Sequence, residues 1–265
     1  EGWLGKNHAL HLGSRSIRDD SKFLLFTDGD VIFAPDTVRV SARHCEENSI
    51  DHFVLAPLML SNGPWLAAVQ LVFGIAFLTY LRPSRLGKSR DVYVGIGAFN
   101  MVRRSFYEKC GGHERLRLEV IDDGMLGKIL VREGARADLV NGKRWLTLAW
   151  YPSVGGFVKG LEKNAFAALR YSLLRVVAFF LANLWTYSLP YILIAISSGD
   201  VRSVVIGLVV FIHVCFAIAA MMMSMSPLLT LLLPFASLII AYTFLRSTFL
   251  TLWRGGITWR ETKHP

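Results

Sequence analysis

The sequence predicts an α/β domain with an open sheet, followed by a transmembrane α-helical region. Charge is unevenly placed: the first 160 residues hold most of it, and the last hundred carry long apolar runs. A hydrophobic fraction of 53% and a mean hydropathy of +0.41 exceed what an ordinary soluble enzyme shows. Phe23-Leu24-Leu25-Phe26 reads as a buried strand that stops at Asp28-Gly29-Asp30. In open α/β sheets ligands bind beyond the carboxyl ends of strands, where both carboxylates would sit.

Asp28 and Asp30 stand at i and i+2, so on extended backbone both point the same way and can share one cation. Hard cations such as magnesium or manganese favour these oxygen ligands and complete their shell with substrate phosphates. Asp-Gly-Asp is equally a common turn, and the tripeptide alone does not choose between the two.

Before this strand, Gly2 to Gly13 reads as a glycine turn running into a short helix, with Gly5 freeing the backbone for a ligand and Lys6 placed to meet a phosphate. After it, Pro35-Asp36-Thr37 opens a helix through Glu47. Phe53 to Leu58 is the next strand. Trp65 to Leu81 is almost wholly apolar, at the lower limit for spanning a bilayer. Spanning would separate acidic motifs that need to share one site, so an interfacial or re-entrant helix over 64–82 is expected, with a buried core helix as the alternative. Trp65, Tyr80 and Arg82 suit headgroup depth. Val92 to Arg104 reads as a glycine-broken strand pair, with Ser105 capping the next helix to Cys110. Asp122 and Asp123 begin a helix running to Glu133, where the helix dipole favours negative charge. Residues 134–140 return as a strand.

Lys and Arg total 29 against 20 Asp and Glu, a net charge of +9. No aromatic-interleaved basic motif of a nucleic-acid-binding module accompanies it, so nucleic acid is not an expected partner. Anionic lipid and a nucleotide diphosphate account for the charge instead. Cys45, Cys110 and Cys215 lack zinc or disulfide spacing and fit a reducing cytosolic face.

The ordered series Gly5-Lys6, Asp28-Gly29-Asp30, Gly95-Ile96-Gly97-Ala98-Phe99 with Arg103-Arg104, Gly111-Gly112-His113-Glu114, and Asp122-Asp123-Gly124-Met125-Leu126 resembles family 2 glycosyltransferases. Gly155 to Asn164 and Gly255 to Arg260 are similar to segments of its membrane-anchored subgroup, which includes ceramide, hopanoid and carotenoid-type enzymes. The resemblance covers most of the chain. It implies a GT-A-type, Rossmann-like domain using a nucleotide-sugar donor, usually a UDP-sugar, with a divalent metal (Mg2+ or Mn2+). It implies Asp28 and Asp30 as metal and donor ligands, Gly5 and Lys6 as the donor-contact turn, Asp123 as the general base, and Asp122 as a residue that supports the base or orients the acceptor. Trp65, Phe73, Trp150, Lys159 and Lys163 are expected on the acceptor and membrane side. The family's first strand and helix would precede the Gly-Lys turn, so an N-terminally truncated domain is expected. Ala149 stands where an Arg often opens an Arg-Met-Tyr segment, and no Gln-x-x-Arg-Trp follows the Asp pair, against processive synthesis.

The expected organisation is a catalytic domain over 1–165, transmembrane helices within 166–250 (about 176–196, 204–223 and 228–245), and a basic tail over 251–265. Lys159, Lys163, Arg170 and Arg175 before the first span place the catalytic domain on the cytoplasmic face of an integral membrane protein. Arg246, Arg254, Arg260 and Lys263 after the last conflict with three full crossings, so one segment is expected to be re-entrant. Asn183 and His213 within spans are expected to hydrogen-bond between helices. The leading function is an inverting transfer of sugar from a nucleotide-sugar to a lipid acceptor. The alternative is a non-catalytic membrane scaffold derived from such a transferase.

Overall fold

The computed structural model describes residues 2–18, 20–259 and 262–264. The chain forms two compact units, Glu1–Leu60 with Leu78–Trp150, and Ser61–Phe77 with Tyr151–Pro265. The first contains α1 (Gly5–Arg15), β1 (Phe23–Phe26), β2 (Val31–Phe33), α2 (Thr37–Glu47), β3 (His52–Ala56) and β4 (Leu58–Met59). After α3 (Pro64–Leu81), most of which belongs to the second unit, it resumes with β5 (Asn100–Arg103), α4 (Arg104–Lys109), α5 (Asp122–Arg132), β6 (Ala137–Asn141) and β7 (Leu146–Leu148).

Its main sheet has the order β1-β5-β3-β6. β5 is antiparallel to both β1 and β3, and β3 is parallel to β6, so β1, β3 and β6 share one direction with β5 inserted against them. Mixed rather than all-parallel, this sheet still brings the carboxyl ends of β1 and β3 to the edge where β5 begins. Phe26 and Val54 both pair with Asn100 there. A second sheet, β2-β7-β4, lies beside it.

Period-2 alternation sends Leu24 and Val102 to one face, where Leu126, Ile129 and Leu130 of α5 cover them. Those three α5 residues follow i, i+3, i+4 spacing, the apolar stripe of a packed helix. Phe53 and Met101 point the other way, into a cluster with Phe99, Leu146 and Cys45 of α2.

Four local expectations need correction. Asp28 and Asp30 do not share a strand with Phe23–Phe26, because the strand ends at Phe26 and Gly29-Asp30 form a turn. Val92 to Phe99 is irregular and only Asn100–Arg103 is a strand, since Gly95 and Gly97 are held against neighbouring backbone and carboxylate rather than in a ladder. Ser105 is not the cap, as α4 starts two residues earlier than expected, at Arg104 with Arg103 at its N-cap. Gly5 lies inside α1 as its first residue, exposed and with open space around it, instead of forming a ligand-hugging turn.

The second unit contains the greater part of α3, then α6 (Val154–Gly160), α7 (Ala165–Ala168), α8 (Leu173–Tyr187), α9 (Leu189–Ile196), α10 (Gly199–Met222) and α11 (Leu233–Arg254), with a hairpin of β8 (Ile257–Trp259) and β9 (Thr262–His264). Arg260, at the end of one family-like segment, lies outside the described residues. Three helical stretches are long and apolar enough to cross a membrane, Pro64–Arg85, Gly199–Met222 and Pro227–Arg254, or up to four if the α8–α9 pair, bent by 42°, is one span. Strands β3 and β4 before α3 pair with β5, β6 and β7 after it, so both flanks of α3 lie on one side of any membrane. His213 of α10 keeps Nδ1 on its own helix, against the Val209 carbonyl at 2.9 Å, and its Nε2 meets the Tyr191 hydroxyl of α9 at 3.4 Å. The expected interhelical contact therefore exists at this site. Asn183 is buried, and its Oδ1 has no partner among the described residues.

Candidate active site

At the sheet edge where β1 ends and β5 begins, an open cleft is lined by Lys6, Thr27, Asp28, Gly97, Asn100, His113, Asp122 and Asp123 among others. Two acidic motifs almost a hundred residues apart in sequence thus converge. Lys6 joins them, with Nζ 3.1 Å from Asp28 Oδ1 and 3.1 Å from Asp122 Oδ1.

Each member is held for a local reason. A lysine in the first turn of α1 opposes the helix dipole, and α1 has no acidic residue of its own there to offset it. The carboxylates across the cleft supply the compensation. The helix is anchored beside Lys6 by Asn7, which is buried and donates to the carbonyls of Leu116 and, at 2.9 Å, Glu119. Asp122 and Asp123 form the first turn of α5, where the dipole favours them, and Asp123 Oδ1 accepts from the Gly124 N–H at 2.7 Å. Gly95 and Gly97 allow the third approach. A Cβ at Gly95 would lie 1.9 Å from the Asp123 carbonyl, and one at Gly97 would lie 2.3 Å from Asp28 Oδ2.

The electrostatics follow from that crowding. Burial pulls the Lys6 ammonium down, but the combined attraction of Asp122, Asp28 and Asp123 overrides it and holds its pKa above that of a free lysine. Burial raises the Asp122 carboxyl, with Lys6 working against the rise. Burial, and then the neighbouring Asp122 charge, push Asp123 up to about 6, despite some surface exposure of the residue. A carboxyl so placed sits close to the working range of a general base. His113, buried, has its pKa lowered to about 4 by burial and by the Lys6 charge, so it is neutral in the cleft wall.

Lys6, Asp28, Asp122 and Asp123 are therefore brought together as a group. Asp30 is exposed on the adjoining turn and Gly5 is outside the lining. Of the residues expected on the acceptor side, Trp150 ends the first unit, and Trp65, Phe73, Lys159 and Lys163 belong to the second. Phe73 packs edge-on to Phe157 at 5.7 Å and stacks with Phe77 at 6.1 Å. Trp65 is exposed on the first turn of α3, with its ring 6.1 Å from Phe235, and Lys159 is exposed on α6.

Among the described residues no three His, Cys, Asp or Glu side chains form a ready-made metal cage. The donor chemistry nevertheless fits a hard divalent cation, which needs only one or two carboxylates when phosphate oxygens and water complete its shell. Of the lining side chains Lys6 alone is cationic against three carboxylates, so a diphosphate would meet net negative charge without further positive charge. Asp28, whose side chain is 44% exposed, is the lining carboxylate open to solvent that could hold it, and Asp30 is exposed two residues further along the chain.

Sequence inspection missed Asn7, Thr27, Asn100 and His113. The signal for Asn100 was present, as an amide among the apolar residues of Ala98-Phe99-Asn100-Met101-Val102. The signal for His113 was its glycine pair, since a Cβ at Gly112 would lie 2.4 Å from the Tyr107 ring whose hydroxyl holds His113 Nδ1 at 2.9 Å.

The model of glycosyl transferase family 21 matches residues 17–264. The chain belongs to this family. The expectation of a glycosyltransferase holds, with family 21 in place of family 2. A comparison with curated proteins returns no match. Among solved structures, "Crystal structure of S. aureus TarS 1-349" is similar at 11% identity and a TM-score of 0.35, covering 96% of this chain and 73% of that one. That likeness is too distant to add to the assignment, which rests on the family match. In this family 21 member the matched residues include Asp28, Gly97, Asp122 and Asp123 of the cleft.

Proposed function

We propose that this glycosyltransferase is membrane-bound and inverting, and moves a sugar from a nucleotide-sugar, a UDP-sugar in the first instance, to a lipid acceptor at the cytoplasmic face. The observation that carries the reading is the convergence of Asp28, Asp122 and Asp123 on Lys6 at the carboxyl end of β1. Asp123 takes the proton from the acceptor hydroxyl. The freed oxygen forms its bond to the anomeric carbon as the bond to the nucleotide diphosphate breaks on the opposite face, which inverts that carbon. Asp122 keeps Lys6 in place and the charge around Asp123 fixed. Asp28 and Asp30 would hold a divalent cation, Mg2+ or Mn2+, which when bound would neutralise the departing diphosphate. Lys6 adds the cleft's own positive charge to the donor phosphates.

A lipid acceptor is favoured by the apolar helices carried on the same chain, α10 above all, whose Val204, Phe211 and Met222 are exposed and need a hydrocarbon environment. The basic residues before α8 favour the cytoplasmic side. The test is incubation of the detergent-solubilised protein with a panel of radiolabelled UDP-sugars and a total lipid extract, with and without Mn2+. A labelled, organic-soluble product that depends on Asp123 supports the reading. Absence of transfer from every donor in the panel overturns it.

A further inference from the structure

His52 lies on β3, outside the cleft lining, and is fully buried. Its Nε2 meets Asn100 Oδ1, and Asn100 Nδ2 donates at 3.4 Å to the main-chain carbonyl of Asp123. The orientation of this chain is forced. The Asp123 carbonyl can only accept, so the Asn100 amide must turn its NH2 group there and its oxygen towards His52. That oxygen can only accept in turn, so His52 carries its hydrogen on Nε2. His52 Nδ1 is left buried with no partner among the described residues, a cost that an apolar side chain at this position would not incur.

The packing gives that cost a purpose. A Cβ at Gly127 would lie 1.8 Å from the Val94 carbonyl and 3.0 Å from His52 Cε1, so α5 is pressed down on the imidazole itself. Gly95 closes in equally on the Asp123 carbonyl. The first turn of α5 is therefore fixed from below by a hydrogen-bonded chain and a steric floor. Burial lowers the His52 pKa to about 4, which keeps the ring neutral and the chain in one arrangement at neutral pH.

We infer that His52 is a positioning residue for the transfer reaction, acting through Asn100 to set the first turn of α5 and with it the Asp123 carboxylate. This rests on the reading of Asp123 as the base. The test compares wild type, His52→Phe and His52→Gln, as full chains in detergent, by amide hydrogen exchange and by turnover of the UDP-sugar panel with lipid extract. His52→Phe keeps bulk but removes the donor, and His52→Gln restores an N–H. In His52→Phe, amides over 122–127 exchange roughly 3–10-fold faster, the weight of one hydrogen bond, while those over 128–134 keep wild-type rates. Turnover falls ~10–100-fold at nearly unchanged donor KM, as displacement of a catalytic group predicts. His52→Gln recovers most of both. Unchanged exchange over 122–127, uniform acceleration along all of α5, or wild-type turnover in His52→Phe overturns the inference. Should wild type itself turn over no donor, the transferase reading fails, and the exchange measurement alone still decides whether His52 sets this turn.

Discussion

Asp28 is seated on Gly97. The Asp28 N–H donates to the Gly97 carbonyl at 2.8 Å, and a Cβ at 97 would lie 2.3 Å from Asp28 Oδ2. The hydrogen bond pins the two backbones together, so an added methyl cannot be relieved by parting them. It must push the carboxylate aside. Gly97→Ala is expected to leave the protein folded and to raise the Kd for UDP with Mn2+ by roughly tenfold, about 1.4 kcal/mol. Isothermal titration with a melting curve on the same sample checks it, and unchanged affinity would mean that Asp28 does not contact the nucleotide complex.

Lys6 is the counter-charge for a buried carboxylate, since Asp122 is 7% exposed and lies 3.1 Å away. Removing one partner of such a pair strands the other. Lys6→Met is expected to destabilise by about 3 kcal/mol, and Asp122→Asn added to it should recover part of the loss. Denaturant melts of the two single variants and the double variant give the coupling. Strictly additive losses would show that the pair does not act as one.

Asp123→Asn separates base from cap. Asn caps helices about as well as Asp, and the Gly124 N–H can still bond to an amide oxygen. The variant is therefore expected to fold and to bind donor normally, with turnover reduced ~10²–10⁴-fold. Wild-type turnover would remove Asp123 from the chemistry.

The pKa of Asp123 gives a pH dependence with a definite sign. The group titrates at 3.8 when unperturbed and at about 6 in the fold, through burial first and Asp122 second. Turnover should climb with pH to about 6 and level off above it, because the base must be ionised. The folded state binds this proton more tightly than the unfolded chain, so the group's contribution to stability is full below 3.8 and lost as pH rises through about 6. Turnover against pH in wild type and in Lys6→Met checks it. With the lysine gone both carboxyls lose a charge that lowers their pKa, so the limb should move to higher pH, and a limb that stays in place would sink the assignment.

The exposed apolar faces of α8 to α11 predict behaviour in bulk. Leu174 and Trp185 on α8, Val204 and Phe211 on α10, and Trp253 on α11 are all more than half exposed. Surface of this kind is stable only in hydrocarbon or detergent. The protein should remain in the pellet after alkaline carbonate extraction, and recovery in the aqueous supernatant would contradict a membrane-bound enzyme.

What the sequence determined by itself was local or periodic. The run Phe23–Phe26, the α2 and α5 helices and the apolar stretches all follow from spacing and composition, which act over a few residues. The acidic motifs were legible through their order along the chain, which resembles that of family 2 glycosyltransferases, since Asp-Gly-Asp by itself is equally a turn and a helix N-terminus favours acidic residues anyway. The tertiary structure decided what depends on distance through space. It ended β1 two residues before Asp28 and left Asp30 on an exposed turn. It set Lys6 between Asp28 and Asp122, and laid Gly95 against the backbone of one motif and Gly97 against the carboxylate of the other. It also tied His52 through Asn100 to the Asp123 carbonyl. None of these could be read along the chain, because each depends on strand order and on which Cβ atoms are missing at a contact, and one sequence fixes neither until the sheet has closed.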